Sequence, residues 1–592
     1  MNSSQSLSQL LRRLWTHISP RRRGQFGLLL VLMVFASFAE IVSIGAVLPF
    51  LGVLTAPVSV FNHALAQSFI QFLGLTSADQ LLLPLTLGFG LAVLLAGAMR
   101  LLLLYAGNRL SFATGADISI SIYRRTLYQP YAVHVARNSS EVISGISTKA
   151  HGVIHSAILP VLTLLSSGTM LVAILIALMS VDPVVAFTAF GGFGLIYVVI
   201  IRLTRSRLLA DSHRIASEST QVIKSLQEGL GGIRDVLIDG SQEAYCRIYH
   251  DADQPLRRAQ GRSLFISQSP RYGMEALGML FIAVLAYLLA RQPDGVAKAI
   301  PVLGALALGA QRLLPTLQQA YGAWSGMRGG QVSLKDALDL LDQPLPDHTN
   351  RPLAEPLRFQ KQIKLNELSF RYAPNTPWVL NNINLTIARG SRIGFIGTTG
   401  SGKTTLLDIV MGLLQPTEGT LEIDGKPVTL HNQRSWQVHL AHVPQAIFLA
   451  DSTIEENIAF GVPRDQINHV RVTQAAQKAQ IADIIETWPA RYQTFVGERG
   501  IRLSGGQRQR IGIARALYKQ ADVIIFDEAT SALDNETEQA VMRAIEGLSE
   551  DLTVLIIAHR LSTLKNCTQI VELGDGSIQR VGNYKDIVAQ TT

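Results

Sequence analysis

Residues 397–404 read Gly397-Thr398-Thr399-Gly400-Ser401-Gly402-Lys403-Thr404. The apolar run Arg392–Ile396 before them reads as a buried strand, and Thr405–Leu414 after them reads as a helix. In that strand–loop–helix setting, the G-x-x-x-x-G-K-T spacing predicts a phosphate-binding loop. Its glycines let successive backbone N–H groups turn toward one anion. The helix N-terminus, opened by Thr405, adds partial positive charge. The Lys403 ammonium is long enough to meet β- and γ-phosphates, and the Thr404 hydroxyl suits Mg²⁺. From Lys361 onward, short β-rich runs give way to alternating strands and helices, so the C-terminal part is expected to be an α/β domain with a mainly parallel sheet.

Further along, Val523-Ile524-Ile525-Phe526-Asp527-Glu528 reads as a buried strand ending in two acids. Asp527 suits Mg²⁺ coordination, directly or through water. Glu528 suits a general base that aligns and polarises an attacking water. An acidic pair after a strand also has a plain reading, as a helix N-cap. Leu503-Ser504-Gly505-Gly506-Gln507 then opens another helix, a second cluster of backbone N–H groups suited to phosphate. One domain rarely needs two such loops for one nucleotide.

The rest of the chain has a different character. Of its 592 residues 48% are hydrophobic and only 16% charged, with a mean hydropathy of +0.25. A soluble enzyme carries more charge. The net charge of +8 is better explained by a membrane than by nucleic acid, given the apolar runs. The two cysteines, Cys246 and Cys567, have no metal-ligand spacing; a disulfide framework or zinc site is not expected.

After a basic leader (residues 1–23), apolar runs at about Gly24–Leu54, Leu81–Ala106, Ser156–Ser180, Val184–Ile201, Phe265–Ala290 and Ala299–Tyr321 predict six membrane helices. The first is an uncleaved anchor. Arginine clusters in the leader, at Arg202–Arg207 and at Arg257–Arg262 lie on one side, while Thr55–Gln80 holds no Lys or Arg. Both termini are therefore expected in the cytoplasm. The long inner connections Gly107–His155 and Arg202–Leu264 read as cytoplasmic extensions of the helices, with Gln129–Ala136 and Ile233–Gly240 as candidate contact elements. The outer loop places Phe61, Leu65, Phe69, Phe72 and Leu73 at helical spacing; it reads either as an interfacial helix or as a loop packing its aromatics inward. The transmembrane domain spans residues 24–342, a proline-rich linker 343–360, and the nucleotide-binding domain 361–592.

Glu40, Arg100, Arg271, Glu275 and Arg312 sit inside apolar spans. Intramembrane charges face a cavity or a partner. Arg100 and Arg271 are equally readable as side chains snorkelling to the inner headgroups. Arg312, beside Gln311, Pro315, Gln318 and Gln319, marks a polar face on the last helix, with Glu40 or Glu275 as a possible structural counter-ion. The functional reading is a basic cavity for an anionic group.

Taken in order, the phosphate loop, Gln445 in Val443-Pro444-Gln445, Leu503–Gln507, Asp527-Glu528, Ser531-Ala532-Leu533-Asp534 and His559 resemble the ATP-binding cassette of ABC transporters. The resemblance covers about Lys361 to the end. It implies that Tyr372 in Phe370-Arg371-Tyr372 stacks on adenine, that Gln445 senses Mg²⁺ and the attacking water, that His559 contacts the γ-phosphate, and that Asp534 belongs to the nucleotide site. It implies also that Ser504 and Gly506 complete the site of a second subunit, so that two copies of this chain, a homodimer, enclose ATP. Six spans followed by a cassette is the layout of type IV ABC exporter half-transporters. Phe38-Ala39-Glu40 with Leu48-Pro49-Phe50, Pro270-Arg271-Tyr272 and Ala310-Gln311-Arg312-Leu313-Leu314-Pro315 resemble bacterial lipid-linked oligosaccharide flippases of the PglK type. That resemblance implies an inner-membrane flippase moving a polyprenyl-pyrophosphate-linked glycan outward, with Arg100, Arg271 and Arg312 on the pyrophosphate. Gln319 stands where it would place a further arginine. A broad exporter of lipids, drugs or peptides, and an ATP-gated channel or membrane regulator, are the alternatives.

Overall fold

The computed structural model describes residues 5–55, 57–62, 67, 70–71, 74–179, 183–290, 313–346, 355–528, 535–546, 551–558 and 564–588. Contacts divide the chain into two units: Met1–Gln129 with His134–Leu345, and Pro130–Val133 with Pro346–Thr592.

The first unit is helical. Helix α1 (Leu7–His17) starts at Ser6, whose hydroxyl accepts from the Gln9 N–H while the Gln9 side chain returns to the Ser6 N–H. This capping box satisfies two groups a helix start leaves open. Its Leu10 and Leu14 pack with Leu334, Leu338 and Leu341 of α8 (Gln331–Leu341). Between them run α2 (Pro20–Gly45), α3 (Val47–Thr55), α4 (Leu82–Leu127), α5 (Leu159–Met179), α6 (Pro183–Gly231) and α7 (Gln242–Ala290). The first expected span is thus two helices. Pro49 has no N–H to give Gly45, and its ring crowds that carbonyl, so the helix breaks at Ala46.

Three stretches among the described residues are long and apolar enough to cross a bilayer: Pro20–Ser43, Ala78–Leu127 and Ser139–Ile176. On α4, Leu83, Leu87, Leu91 and Leu94 form a stripe with 65–73% of each side exposed, a surface suited to lipid and not to water. Helices α6 and α7 are 49 residues each, about 70 Å at 1.5 Å per residue, more than twice a ~30 Å hydrocarbon core. Membrane helix and polar extension are one continuous rod. The sixth expected span lies outside the described residues as far as 312, and 313–329 is helical. In the outer loop Ile70 is buried with Val53 and Leu81, and Phe61 packs beside them; Leu65, Phe69, Phe72 and Leu73 fall outside the described residues.

Among its described residues the second unit contains ten strands: β1 (Gln362–Phe370), β2 (Leu380–Ala388), β3 (Arg392–Ile396), β4 (Glu418–Ile423), β5 (Lys426–Pro427), β6 (Leu440–Val443), β7 (Val523–Asp527), β8 (Thr553–Ile557), β9 (Gln569–Gly574) and β10 (Ser577–Gly582). One sheet, in the order β2-β1-β4-β5, is antiparallel. The other runs β10-β9-β3-β8-β7-β6 and is parallel except for β10. Its inner strands are apolar on both faces, as a sheet covered on both sides requires. Val523 and Ile525 of β7 join the core of α9 (Lys403–Val410); Ile524 and Phe526 join that of α10 (Gly505–Lys519). Side chains of a strand alternate faces, so α9 and α10 cover opposite faces of this sheet.

Candidate functional site

Register places the site. Strand β8 separates β3 from β7, and Phe395 and Asp527 both pair with Ile557. The loop leaving β3 and the acids leaving β7 therefore emerge at one level, two ladder spacings or about 10 Å apart.

The phosphate loop rests on backbone that side chains avoid. Gly397, Gly400 and Gly402 have φ of +142°, +87° and +93°. A Cβ on Gly397 would lie 2.1 Å from the Leu573 carbonyl oxygen. Lys403 is buried, and its Nζ donates to the carbonyls of Gly397 at 2.8 Å and Thr398 at 2.9 Å, bridging the loop from below. Burial pushes the lysine pKa down, and Glu528 and Asp527 pull it back up. Thr398, Thr399, Gly400 and Thr404 face outward, whereas Ser401, Gly402 and Thr405 are buried. The Tyr372 ring is 56% exposed, edge-on to Phe370, with its hydroxyl 3.2 Å from the Thr405 hydroxyl. That leaves an open aromatic face at the rim of the loop.

Across the loop, burial raises the Asp527 pKa, Glu528 raises it further, and Lys403 opposes both. Glu528 has a φ of +51°, a strained setting for a side-chain-bearing residue. Its N–H donates to the Ile557 carbonyl at 3.1 Å, and Gln445 Nε2 donates to its Oε2 at 2.7 Å. Sequence reasoning missed Asp408. It lies one turn beyond Thr404 on α9, and burial together with Asp527 pushes its pKa up to about 6. The i, i+4 spacing from a phosphate-loop threonine was the available signal.

The structure brings the phosphate loop, Tyr372, Gln445, Asp527 and Glu528 together. It does not bring Ser504, Gly505, Gly506 and Gln507 to them, because α10 packs on the opposite sheet face. At the start of α10 the Ser504 hydroxyl accepts from the Gln507 N–H at 3.2 Å, and the Ser504 N–H donates to Gln507 Oε1 at 2.9 Å. His559 and Asp534 lie outside the described residues.

In the helical unit, two of the three arginines read as a basic cavity, Arg100 and Arg271, are ion-paired, and the third, Arg312, lies outside the described residues. Arg100 pairs with Glu40 at 2.6 Å, and Arg271 with Glu275 at 2.8 Å. Both carboxylates expected to serve Arg312 are thus engaged by other arginines. A desolvated arginine needs a counter-ion, and the packing of α2 against α4 supplies Glu40 to Arg100. A cavity of about 680 Å³ is lined by Arg100, Asn108, Thr163, Ser166, Ser167 and Gln319 among others. Arg271 is not among its lining residues.

Known proteins were compared with this sequence and structure. The family described as ABC transporter transmembrane region matches residues 26–292, and that described as ABC transporter matches 380–531. An ATP-dependent lipid A-core flippase of Cupriavidus metallidurans is 28% identical, covering 98% of this chain and 94% of its own. One of Saccharophagus degradans is 31% identical, covering 82% of each. The heterocyst differentiation ATP-binding protein HepA of Nostoc sp. is 29% identical over 94% of this chain and 90% of its own. A bacterial Atm1-family ABC exporter solved with ATP bound superposes with a TM-score of 0.78 at 23% identity, covering 97% of this chain and 96% of that one. The chain belongs to the ABC transporter family, as a membrane exporter domain fused to an ATP-binding cassette that couples ATP hydrolysis to transport.

Proposed function

We propose that this chain is a half-transporter that works as a homodimer in a bacterial inner membrane, both termini cytoplasmic, and flips a lipid-linked oligosaccharide or related glycolipid to the outer leaflet. The observation that carries the lipid reading is a cavity of about 680 Å³ lined both by polar residues such as Asn108, Ser167 and Gln319 and by apolar ones such as Met33, Leu103 and Leu162, with an exposed leucine stripe on the outer side of α4. The names of the lipid A-core flippases support it.

The residues present fit ATP and Mg²⁺. The buried Lys403 and the outward-facing loop offer positive charge and N–H donors, and Thr404, Gln445 and Asp527 are hard oxygen donors of the kind magnesium takes. When bound, Mg²⁺ neutralises charge on the phosphate oxygens. Tyr372 holds adenine against its open face. Residues 397–405 hold the phosphates. Glu528, aimed by Gln445, takes a proton from the attacking water, and His559 contacts the γ-phosphate. Ser504, Gly505, Gly506 and Gln507 serve the nucleotide held by the other copy's loop, and Asp534 serves the nucleotide site. Closure drives transport because ATP binds the closed pair better than the open one.

The test is a reconstituted flipping assay with defined lipid-linked sugars and ATP. Movement of the glycolipid to the outer leaflet supports the reading. ATPase stimulation by hydrophobic drugs with no glycolipid movement supports the broad exporter instead.

A further inference from the structure

The cavity volume of about 680 Å³ falls within the ~300–1,000 Å³ usual for ligand sites. Its polar wall is built from hydroxyls and amides: Asn108, Thr163, Ser166, Ser167 and Gln319. Ser167 is 2% exposed, and its hydroxyl has no hydrogen-bond partner among the described residues. A buried hydroxyl left unpaired is costly, so this one is set up for a polar ligand atom.

Arg100 contributes the only charge among the described residues that line the cavity. Its side chain is 43% exposed, reaching from the cavity back to Glu40, whose side chain is 2% exposed behind the wall. Among the described residues, the pair leaves the wall with hydrogen-bond donors but no net charge. Removing one partner of such a pair leaves the other uncompensated, whereas replacing both is often tolerated.

We propose that Glu40 sets the charge selectivity of this cavity. By neutralising Arg100 it makes the wall a site for the sugar part of a glycolipid headgroup and disfavours headgroups with several negative charges. Glu40 is a positioning residue, acting through Arg100. The proposal rests on the glycolipid reading above and narrows it to the related glycolipids whose headgroup carries no pyrophosphate.

The experiment uses the full chain in nanodiscs and reads ATPase stimulation by two probes: diglucosyl diacylglycerol, which is neutral and sugar-bearing, and undecaprenyl pyrophosphate, which is highly charged and sugar-free. In wild type the neutral glycolipid is expected to act at the lower concentration. Glu40→Gln is expected to shift the ratio of half-maximal concentrations toward the pyrophosphate by about tenfold or more, the scale of one poorly screened charge contact. Glu40→Gln combined with Arg100→Gln is expected to return the ratio to within about threefold of wild type, and this pair carries the test if the single variant does not fold. An unchanged ratio in Glu40→Gln, with both lipids still active, overturns the proposal alone: Glu40 then only fastens α2 to α4. A double variant whose ratio moves about tenfold away from the pyrophosphate overturns it too, because Arg100 then acts as a net positive charge. If neither lipid stimulates wild type, the glycolipid reading falls and the proposal falls with it.

Discussion

The Gln445 side-chain amide donates to the Glu528 carboxylate across 2.7 Å, linking the end of β6 to the end of β7. The contact fixes one carboxylate oxygen of Glu528. Glu528→Gln keeps the shape and removes the base. Hydrolysis is expected to fall by about 10²–10⁴-fold, the range for a general base, with ATP affinity retained. Steady-state ATPase rates together with nucleotide-binding isotherms check this; near-normal turnover would remove Glu528 from the base role.

Gly397→Ala would put a methyl group 2.1 Å from the Leu573 carbonyl oxygen at a φ of +142°. Neither β3 nor β9 can yield, because they pair with each other. Loss of nucleotide binding and a lower melting temperature are expected together. A variant that melts like wild type and still binds ATP would show that the loop has slack the backbone geometry denies.

Tyr372 offers an exposed ring whose removal leaves the core intact. Aromatic–base stacking contributes about 1–3 kcal/mol, so Tyr372→Ala is expected to weaken ATP binding by about five- to a hundredfold without moving the melting temperature. Tyr372→Phe is expected to bind nearly as wild type. Equal binding by the alanine variant would place adenine elsewhere.

Asp408 predicts a pH dependence. Its pKa of about 6 is raised above the usual carboxylate value by burial and by Asp527. The folded chain therefore holds this proton more tightly than the unfolded chain does. The stability that the proton contributes is full below about pH 4, the ordinary aspartate value, and is lost as pH rises through about 6. Asp408→Asn removes this loss. Nucleotide-free melts are expected to show little difference between variant and wild type near pH 4, and a variant advantage that grows to a plateau above about pH 7. A difference that shrinks with rising pH would reverse the assignment.

Much of the cassette was legible because its chemistry depends on spacing along the chain. Glycines at 397, 400 and 402 announce a backbone turned toward an anion, and apolar runs before Gly397 and Asp527 announce buried parallel strands. The left-handed setting of Glu528 was not legible, since nothing in a glutamate betrays its φ. The backbone N–H groups of Leu503–Gln507 read as suited to phosphate, and the Ser504 hydroxyl caps the same helix, α10, by accepting from the Gln507 N–H. In the membrane half, long apolar runs mark stretches such as Pro20–Ser43 and Ala78–Leu127, but the counter-ion of Arg100 lies in another helix 60 positions away, and one-dimensional spacing carries no trace of that pairing. The break at Ala46 was present in Pro49, and the continuous apolar run hid it.

In the proposed homodimer two copies share each nucleotide, one giving the phosphate loop and the other Leu503–Gln507. The direct measurement is nucleotide trapping in co-purified, differently tagged chains, all carrying Glu528→Gln, one also Lys403→Ala and the other also Ser504→Arg. Neither doubly altered chain is expected to retain ATP by itself, and the mixed pair is expected to retain one ATP at its single intact composite site. Retention of ATP by the Ser504→Arg chain alone, with no gain on mixing, would contradict the account.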